Sequence, residues 1–320
     1  RIFITGVSPI MLDDITSGAN IFTVASNDQD LNSMLGFTGQ EVEELVKYYQ
    51  LEGIVNRDEL MTILENYCNG YRFNEDTDET IYNTDMILYI IKNIIQKGRF
   101  PKKLIDENIK TDYNRLRNIA EKFIDKDEML SLIEGNNVGP VEIKDRFNLE
   151  SLYKGLEKYT NVRSLFYYLG LLTIKSQQAN AVMLTIPNLA VKSVYWEYMY
   201  HTYQVEKSAR YDHLKKAMDL MRMDGKLKGI MDLYTKVIRR LSNRDLRHFN
   251  EISCKSIFIT LVYTDGIYLL ASEREAAGGY TDLYIKENVN FKESIKYRYM
   301  MEFKYIPVKD LQGDIFQDNK

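Results

Sequence analysis

Residues 278–306 read GGYTDLYIKENVNFKESIKYRYMMEFKYI. Two segments of this stretch alternate in polarity and are rich in Tyr, Phe and Ile: Tyr280 to Ile285, directly after a Gly-Gly turn, and Tyr299 to Ile306, after a polar excursion. That pattern marks both as strands. Successive side chains on a strand point to opposite faces, so Glu302 and Lys304 share one face while Met301, Phe303 and Tyr305 take the other. If the strand carrying Asp282 pairs with this one, Asp282 approaches Glu302. Two carboxylates with a carbonyl oxygen form a hard-cation site suited to Mg2+ or Mn2+. Such an ion lowers the pKa of a bound water and stabilises the charge of a phosphodiester transition state, while Lys304 orients the nucleophile or screens charge. Glu273 or Glu251 completes the acidic rim. Taken by itself the pattern is weak, because many surface strands carry Glu-x-Lys as an exposed ion pair.

Upstream of this stretch, Ile267 to Ala271 looks extended and Ser272 to Gly279 reads as a turn. Phe249 to Val262 is compatible with a helix, and Asp265-Gly266 is equally compatible with a tight hairpin between two strands. Between Lys207 and Arg247 twelve Lys or Arg stand against five Asp or Glu. Leu214, Met218, Met221, Leu227, Met231, Tyr234, Ile238 and Leu241 recur there at helical spacing. This is a basic amphipathic helix pair, either a solvated face over an apolar stripe or a phosphate contact.

The middle of the chain, Asp112 to Trp196, is mixed. Tyr113–Phe123 and Glu128–Glu134 are helical in pattern, Val141–Phe147 alternates, Val162–Leu169 is helical, and Val182–Ile186 is a strand closed by Pro187. Helix, strand, turn, strand, helix is the order of a winged helix, a module that binds DNA in some proteins and serves as a spacer in others; the spacer reading is preferred. Near the start, Ile2–Thr5 is strand-like. Thr38 with Glu41 forms a capping box ahead of Val42, Leu45 and Val46. Arg57–Cys68 is a helix burying Leu60, Ile63 and Leu64, stopped by Asn69-Gly70. Asp85–Ile95 is a third helix, ending before Gly98.

The 320 residues are 45% hydrophobic and 28% charged, which is globular usage spread over more than one domain. A formal charge of -4 argues against a protein that coats nucleic acid through bulk charge, so any such contact is local. Cys68 and Cys254 are distant from one another, and His201, His213 and His248 are scattered. Neither a zinc site nor a Cys/His dyad is written locally, and a reducing compartment is expected. The longest apolar run, Ser256 to Ser272, is interrupted by Asp265-Gly266, so the expected protein is soluble and cytoplasmic, with no membrane partner. Because the chain opens with Arg1 directly into a strand, it is expected to be a fragment of a longer protein.

The strings FITGVSPIMLDDITSGANI (3–21), MLGFTGQEVEELV (34–46), NGYRF (69–73), LTIPN (184–188), SEREAAGGYTDL (272–283) and MEFKYI (301–306) together resemble the bacterial AAA-ATPase-like proteins fused to a PD-(D/E)XK nuclease-like domain. The resemblance implies an α/β, multidomain α+β, architecture. Residues 1–99 would be the end of the ATPase-like domain, a helical lid remnant with Thr5 at a γ-phosphate-sensing position. Residues 100–205 would be helical and winged-helix-like, and 206–320 a nuclease-like α/β domain with a mixed sheet. It also implies that Asp282 and Glu302 ligate the metal, that Lys304 is the catalytic lysine, and that Glu273 and Glu251 are further acids of the motif. The expected function is a metal-dependent phosphodiesterase with Mg2+ or Mn2+, acting on DNA rather than RNA. The alternative is a non-catalytic nucleotide-regulated switch, or a binding protein with a nuclease-like fold. A phosphate-binding loop needs Gly-x-x-x-x-Gly-Lys-Ser/Thr, and here Gly225-Lys226 is followed by Leu227. ATP is therefore expected only for a full-length parent.

Overall fold

The computed structural model describes residues 25, 27–101, 103–105, 122–123, 126–133, 135–145, 147, 149–202, 211–241, 249–263, 267–276 and 279–306. Thr5 and the opening strand-like run lie outside them, as do most of the 113–123 segment, Asp265-Gly266 and the outer ends of the basic run. The chain divides into two compact units, Arg1–Tyr198 and Met199–Lys320. Helices and small antiparallel sheets give an α+β fold.

In the first unit the Thr38–Glu41 capping box forms as the sequence predicts. Thr38 N–H donates to Glu41 Oε2 at 2.8 Å, Glu41 N–H donates to Thr38 Oγ1 at 3.3 Å, and helix α1 (Gly39–Tyr48) follows. Helix α2 (Arg57–Cys68) is capped by Asn56 and buries Leu60, Ile63 and Leu64, with Tyr67 and Cys68 extending the stripe. Helix α3 (Thr84–Lys97) ends on Gly98, which is left-handed as a C-cap glycine should be.

The end of α2 has a different cause from the expected Asn-Gly stop. Asn69 is extended, and Gly70, at φ +101°, sits where a Cβ would lie 2.1 Å from the Pro187 carbonyl oxygen. Glycine is required there by a close approach between distant segments. The NGYRF and LTIPN strings thus meet in space, and Asn188 Nδ2 donates to the Asn69 carbonyl at 2.8 Å. Arg72 is buried, its guanidinium donating to the carbonyls of Asn74, Glu75 and Lys175, and its N–H donates to Thr173 Oγ1 at 2.8 Å.

Helix α4 (Lys126–Ile133), strand β1 (Val138–Val141), helices α5 (Leu149–Tyr153) and α6 (Lys158–Tyr168), strands β2 (Thr173–Gln178) and β3 (Ala181–Thr185), and helix α7 (Leu189–Thr202) follow in order. The sheet order is β1-β3-β2, antiparallel throughout. Val141–Phe147 is not a strand over its length: pairing ends at Val141, where β1 leaves β3. Arg163 of α6, almost fully buried, pairs with Glu128 of α4 and tethers the two helices.

In the second unit, helices α8 (Tyr211–Asp224) and α9 (Lys228–Ile238) form a hairpin. Gly229 faces Ala217, and a Cβ on it would stand 3.0 Å from that of Ala217. On α8 the expected Leu214, Met218 and Met221 are buried, but α9 buries Ile230, Leu233 and Val237, while Met231 is exposed. The turn at Gly225 resets the helical phase, so one stripe does not continue through both helices. Three basic residues of the run are paired with its own acids, Arg222 with Asp219, Lys226 with Asp224 and Lys228 with Asp232.

Helix α10 (Glu251–Tyr263) settles the helix-or-hairpin choice in favour of the helix. It is buried nearly all round, as a helix apolar on every face must be. Strands β4 (Tyr268–Ala276), β5 (Gly279–Glu287) and β6 (Tyr299–Met301) follow as an antiparallel meander. Two expectations change here. Ser272–Ala276 is strand rather than turn, because it pairs with Leu283 back to Gly279 and leaves only two residues between the strands. The strands described are antiparallel rather than mixed, since connections this short cannot make the crossover a parallel pair needs. Among the described residues no helix is long and apolar enough to cross a membrane.

Candidate functional site

The site is built on β5 and the chain that leaves β6. Leu283 and Ile285 of β5 are fully buried, so Asp282, Tyr284 and Lys286 project to the opposite face. The register pairs Leu283 with Met301 and Ile285 with Tyr299. Continued by one residue, it sets Asp282 level with Glu302. On the other side of β5 the rungs Ser272↔Leu283 and Arg274↔Thr281 leave Glu273 level with Asp282. Three acidic positions therefore fall in one row, on β4, on β5 and on the segment that leaves β6.

Strand β6 is shorter than the sequence suggests. It ends at Met301, and Glu302 to Ile306 are not strand. The Phe303 N–H is taken by Asp282 Oδ2 at 2.6 Å, a side chain replacing the backbone as acceptor at the point where the ladder stops. Alternation nevertheless persists beyond the ladder, because aromatic packing enforces it. The Phe303 ring packs edge-on against Phe258 of α10 at 5.6 Å between centroids, and Tyr305 packs against Phe249 at 6.0 Å. Glu302 and Lys304, between and beside these anchored rings, are exposed. Among the described residues neither is engaged in an ion pair or hydrogen bond, so the Glu-x-Lys surface pair is not formed.

Glu251 stands in the first turn of α10, where its charge favours the positive end of the helix dipole, and it is exposed. The Phe249–Tyr305 contact brings this helix end beside the segment bearing Glu302 and Lys304. Among the described side chains no three acids, histidines or cysteines gather closely enough to hold a metal ion. The chemistry of the donors fits a hard cation at Asp282 and Glu302, which offer carboxylate oxygens level on neighbouring chain segments.

Farther along β5, continuing the register by one residue sets Lys286 level with Arg298. Arg298 grips Glu287 bidentately, Nε to Oε2 at 2.6 Å and Nη2 to Oε1 at 2.5 Å. Burial pushes the Glu287 carboxyl up, but the bonds and charge of Arg298, helped by Lys286, outweigh it and hold the group below its ordinary value. Sequence reading missed this pair; an acid and an arginine eleven residues apart give no local signal without the register. Elsewhere, burial pushes the thiols of Cys68 and Cys254 up, away from thiolate chemistry.

No curated protein and no solved structure matches the chain. Residues 249–318, which span α10, the three strands and the Glu302–Lys304 segment, match the family model of the PD-(D/E)XK nuclease superfamily. The chain carries a PD-(D/E)XK nuclease superfamily domain over residues 249–318.

Proposed function

We propose that this domain is a metal-dependent phosphodiesterase acting on nucleic acid, DNA in preference to RNA. What supports the reading is the Leu283↔Met301 rung, after which Asp282 and Glu302 come next on adjoining segments inside the matched residues. Asp282 and Glu302 would hold the ion, with Glu273 on the neighbouring strand and Glu251 at the helix end as further acids. When bound, a divalent cation supplies an activated water and neutralises charge on the phosphoryl oxygens. The Phe303 amide fixes Asp282 by one oxygen and leaves the other for ligation. Lys304, an ammonium with no partner among the described residues, would face the scissile phosphate and screen its charge.

A binding role without cleavage is the second reading. It is supported by the engagement of Asp282 Oδ2 with the Phe303 amide, which ties one carboxylate oxygen to the chain. Residues 1–99 as an ATPase-like lid, with Thr5 as sensor, and 100–205 as a winged-helix spacer rest on the sequence resemblance; for the latter the β1-β3-β2 order after α4 gives support. The test is cleavage of linear and circular DNA with Mg2+ or Mn2+, by the wild type and by Asp282→Asn and Glu302→Gln. Metal-dependent cutting lost in both variants upholds the phosphodiesterase; cutting equal to wild type in both removes these residues from the reaction, and binding without any cutting selects the second reading.

A further inference from the structure

The β5–β6 pair is polarised along its length. In register, the acidic positions Asp282 and Glu302 follow one end of the pairing, and the basic positions Lys286 and Arg298 follow the other. Four steps along β5 separate Asp282 from Lys286, about 13 Å at ~3.3 Å per residue. Directly beyond the cationic end the chain turns through a 3-10 helix, Val289–Ser294, and encloses an open pocket lined by Glu287, Lys292, Ile295, Lys296 and Arg298.

The acid in this lining is already engaged. Glu287 is gripped by Arg298, which fixes the plane of the guanidinium in the lining. With Lys292 and Lys296 exposed on the rim, the pocket is net positive. Its shape is held from behind by α8. Lys296 N–H donates to the Arg222 carbonyl at 2.9 Å, Arg222 Nη1 donates to the Ser294 carbonyl at 3.4 Å, and the Tyr297 ring lies so close to Gly225 that a Cβ there would stand 3.1 Å from it. A prebuilt cluster of cations with a planar arginine fork is suited to a phosphate.

We propose that this pocket anchors a backbone phosphate of the nucleic acid, a few nucleotides from the bond presented to Asp282 and Glu302. This rests on the phosphodiesterase reading above. The polarity gives the arrangement a purpose: phosphates are repelled by bare carboxylates, so a strand is captured at the cationic end and delivered to the acidic end only where a cation neutralises it. The anchor sets the distance from the held phosphate to the cut.

The test is fluorescence anisotropy of a labelled DNA duplex of about 20 base pairs, and of the same sequence as RNA, with chelator present so that nothing is cut, between ~50 and ~200 mM salt. Lys292→Gln/Lys296→Gln, two changes at exposed positions with folding checked by the unfolding temperature, should weaken binding at least tenfold at the low-salt end. It should also reduce the slope of log K against log salt by about 2. Asp282→Asn should bind at least as tightly as wild type. A double variant with wild-type affinity and slope overturns the anchor, as does a wild type that binds neither duplex. The cleavage assay is read separately: if Asp282→Asn abolishes cutting while the double variant binds normally, the anchor falls and the phosphodiesterase stands. If Asp282→Asn cuts like wild type while the double variant loses affinity and slope, the phosphate pocket stands and its catalytic context falls.

Discussion

Asp282 Oδ2 accepts the backbone N–H of Phe303 at 2.6 Å, and the ring of Phe303 stacks edge-on against Phe258. One residue thus joins the candidate site to the core of its unit: its amide holds the acid, and its ring fixes the strand phase that turns Glu302 and Lys304 outward. The position of the charged pair depends on apolar packing behind it.

Removing the charge and removing the hydrogen bond should therefore separate. Asp282→Asn keeps an oxygen acceptor for the Phe303 amide and should lose at least ~100-fold in metal-dependent cleavage with little change in thermal midpoint. Asp282→Ala leaves that amide without its acceptor and should cost a further ~1 kcal/mol of stability. Equal melting curves for the two variants would show that the bond contributes nothing to folding.

At Gly70 the positive φ and the Pro187 carbonyl act together. Gly70→Ala must both adopt a strained backbone and displace a carbonyl that lies 2.1 Å from the new methyl, so a loss of at least ~2 kcal/mol is expected in urea unfolding of the first unit. Pro187→Ala in the same background should not restore it, since the clash is with backbone.

Arg163, almost fully buried, pairs with Glu128, whose side chain is partly exposed. Arg163→Met removes the cation facing Glu128 and should cost at least ~2 kcal/mol, whereas Arg163→Met with Glu128→Leu should recover part of that. A double-mutant cycle by chemical denaturation reads the difference directly; simple additivity would contradict the pairing.

Glu287 carries a pH signature. Its carboxyl is held below the ordinary value in the folded chain, so the unfolded state binds the proton more readily. The stabilisation is present above the unfolded carboxyl pKa of ~4.3 and is lost as pH falls through the lower, folded value. Acid unfolding of Glu287→Gln should show less dependence on pH below about 4 than wild type does. Parallel curves would mean that Arg298 gives Glu287 no preference for its ionised form.

Much of this is legible along the chain because it is local. The capping box at Thr38 and Glu41, the apolar stripe of α2 and the strand carrying Asp282 all follow from residues within a few positions of one another. The errors come from tertiary competition. Glu302–Ile306 has every feature of a strand, yet the Asp282 carboxylate takes the amide at which the ladder stops. Ser272–Ala276 is polar enough for a turn, yet β5 supplies partners for its backbone. The stripe through α8 and α9 was broken by a glycine turn whose geometry periodicity cannot encode. At the site, spacing gave the row of acids its members but not the rung-by-rung alignment, which depends on register, and the Glu287–Arg298 fork left no trace in sequence.

The family match begins at Phe249, but the last strand of its sheet reaches further back: Tyr299 donates its hydroxyl to the Met221 carbonyl at 2.5 Å, at the closing turn of α8. The inheritable cassette is consequently larger than the recognisable motif. Transplanted at Phe249, the module would arrive with an orphaned phenol at its edge strand and the apolar flank of α10 uncovered; transplanted with α8 and α9 it would carry its own buttress. Recombination between relatives should tolerate a junction ahead of Tyr211 far better than one between α9 and Phe249.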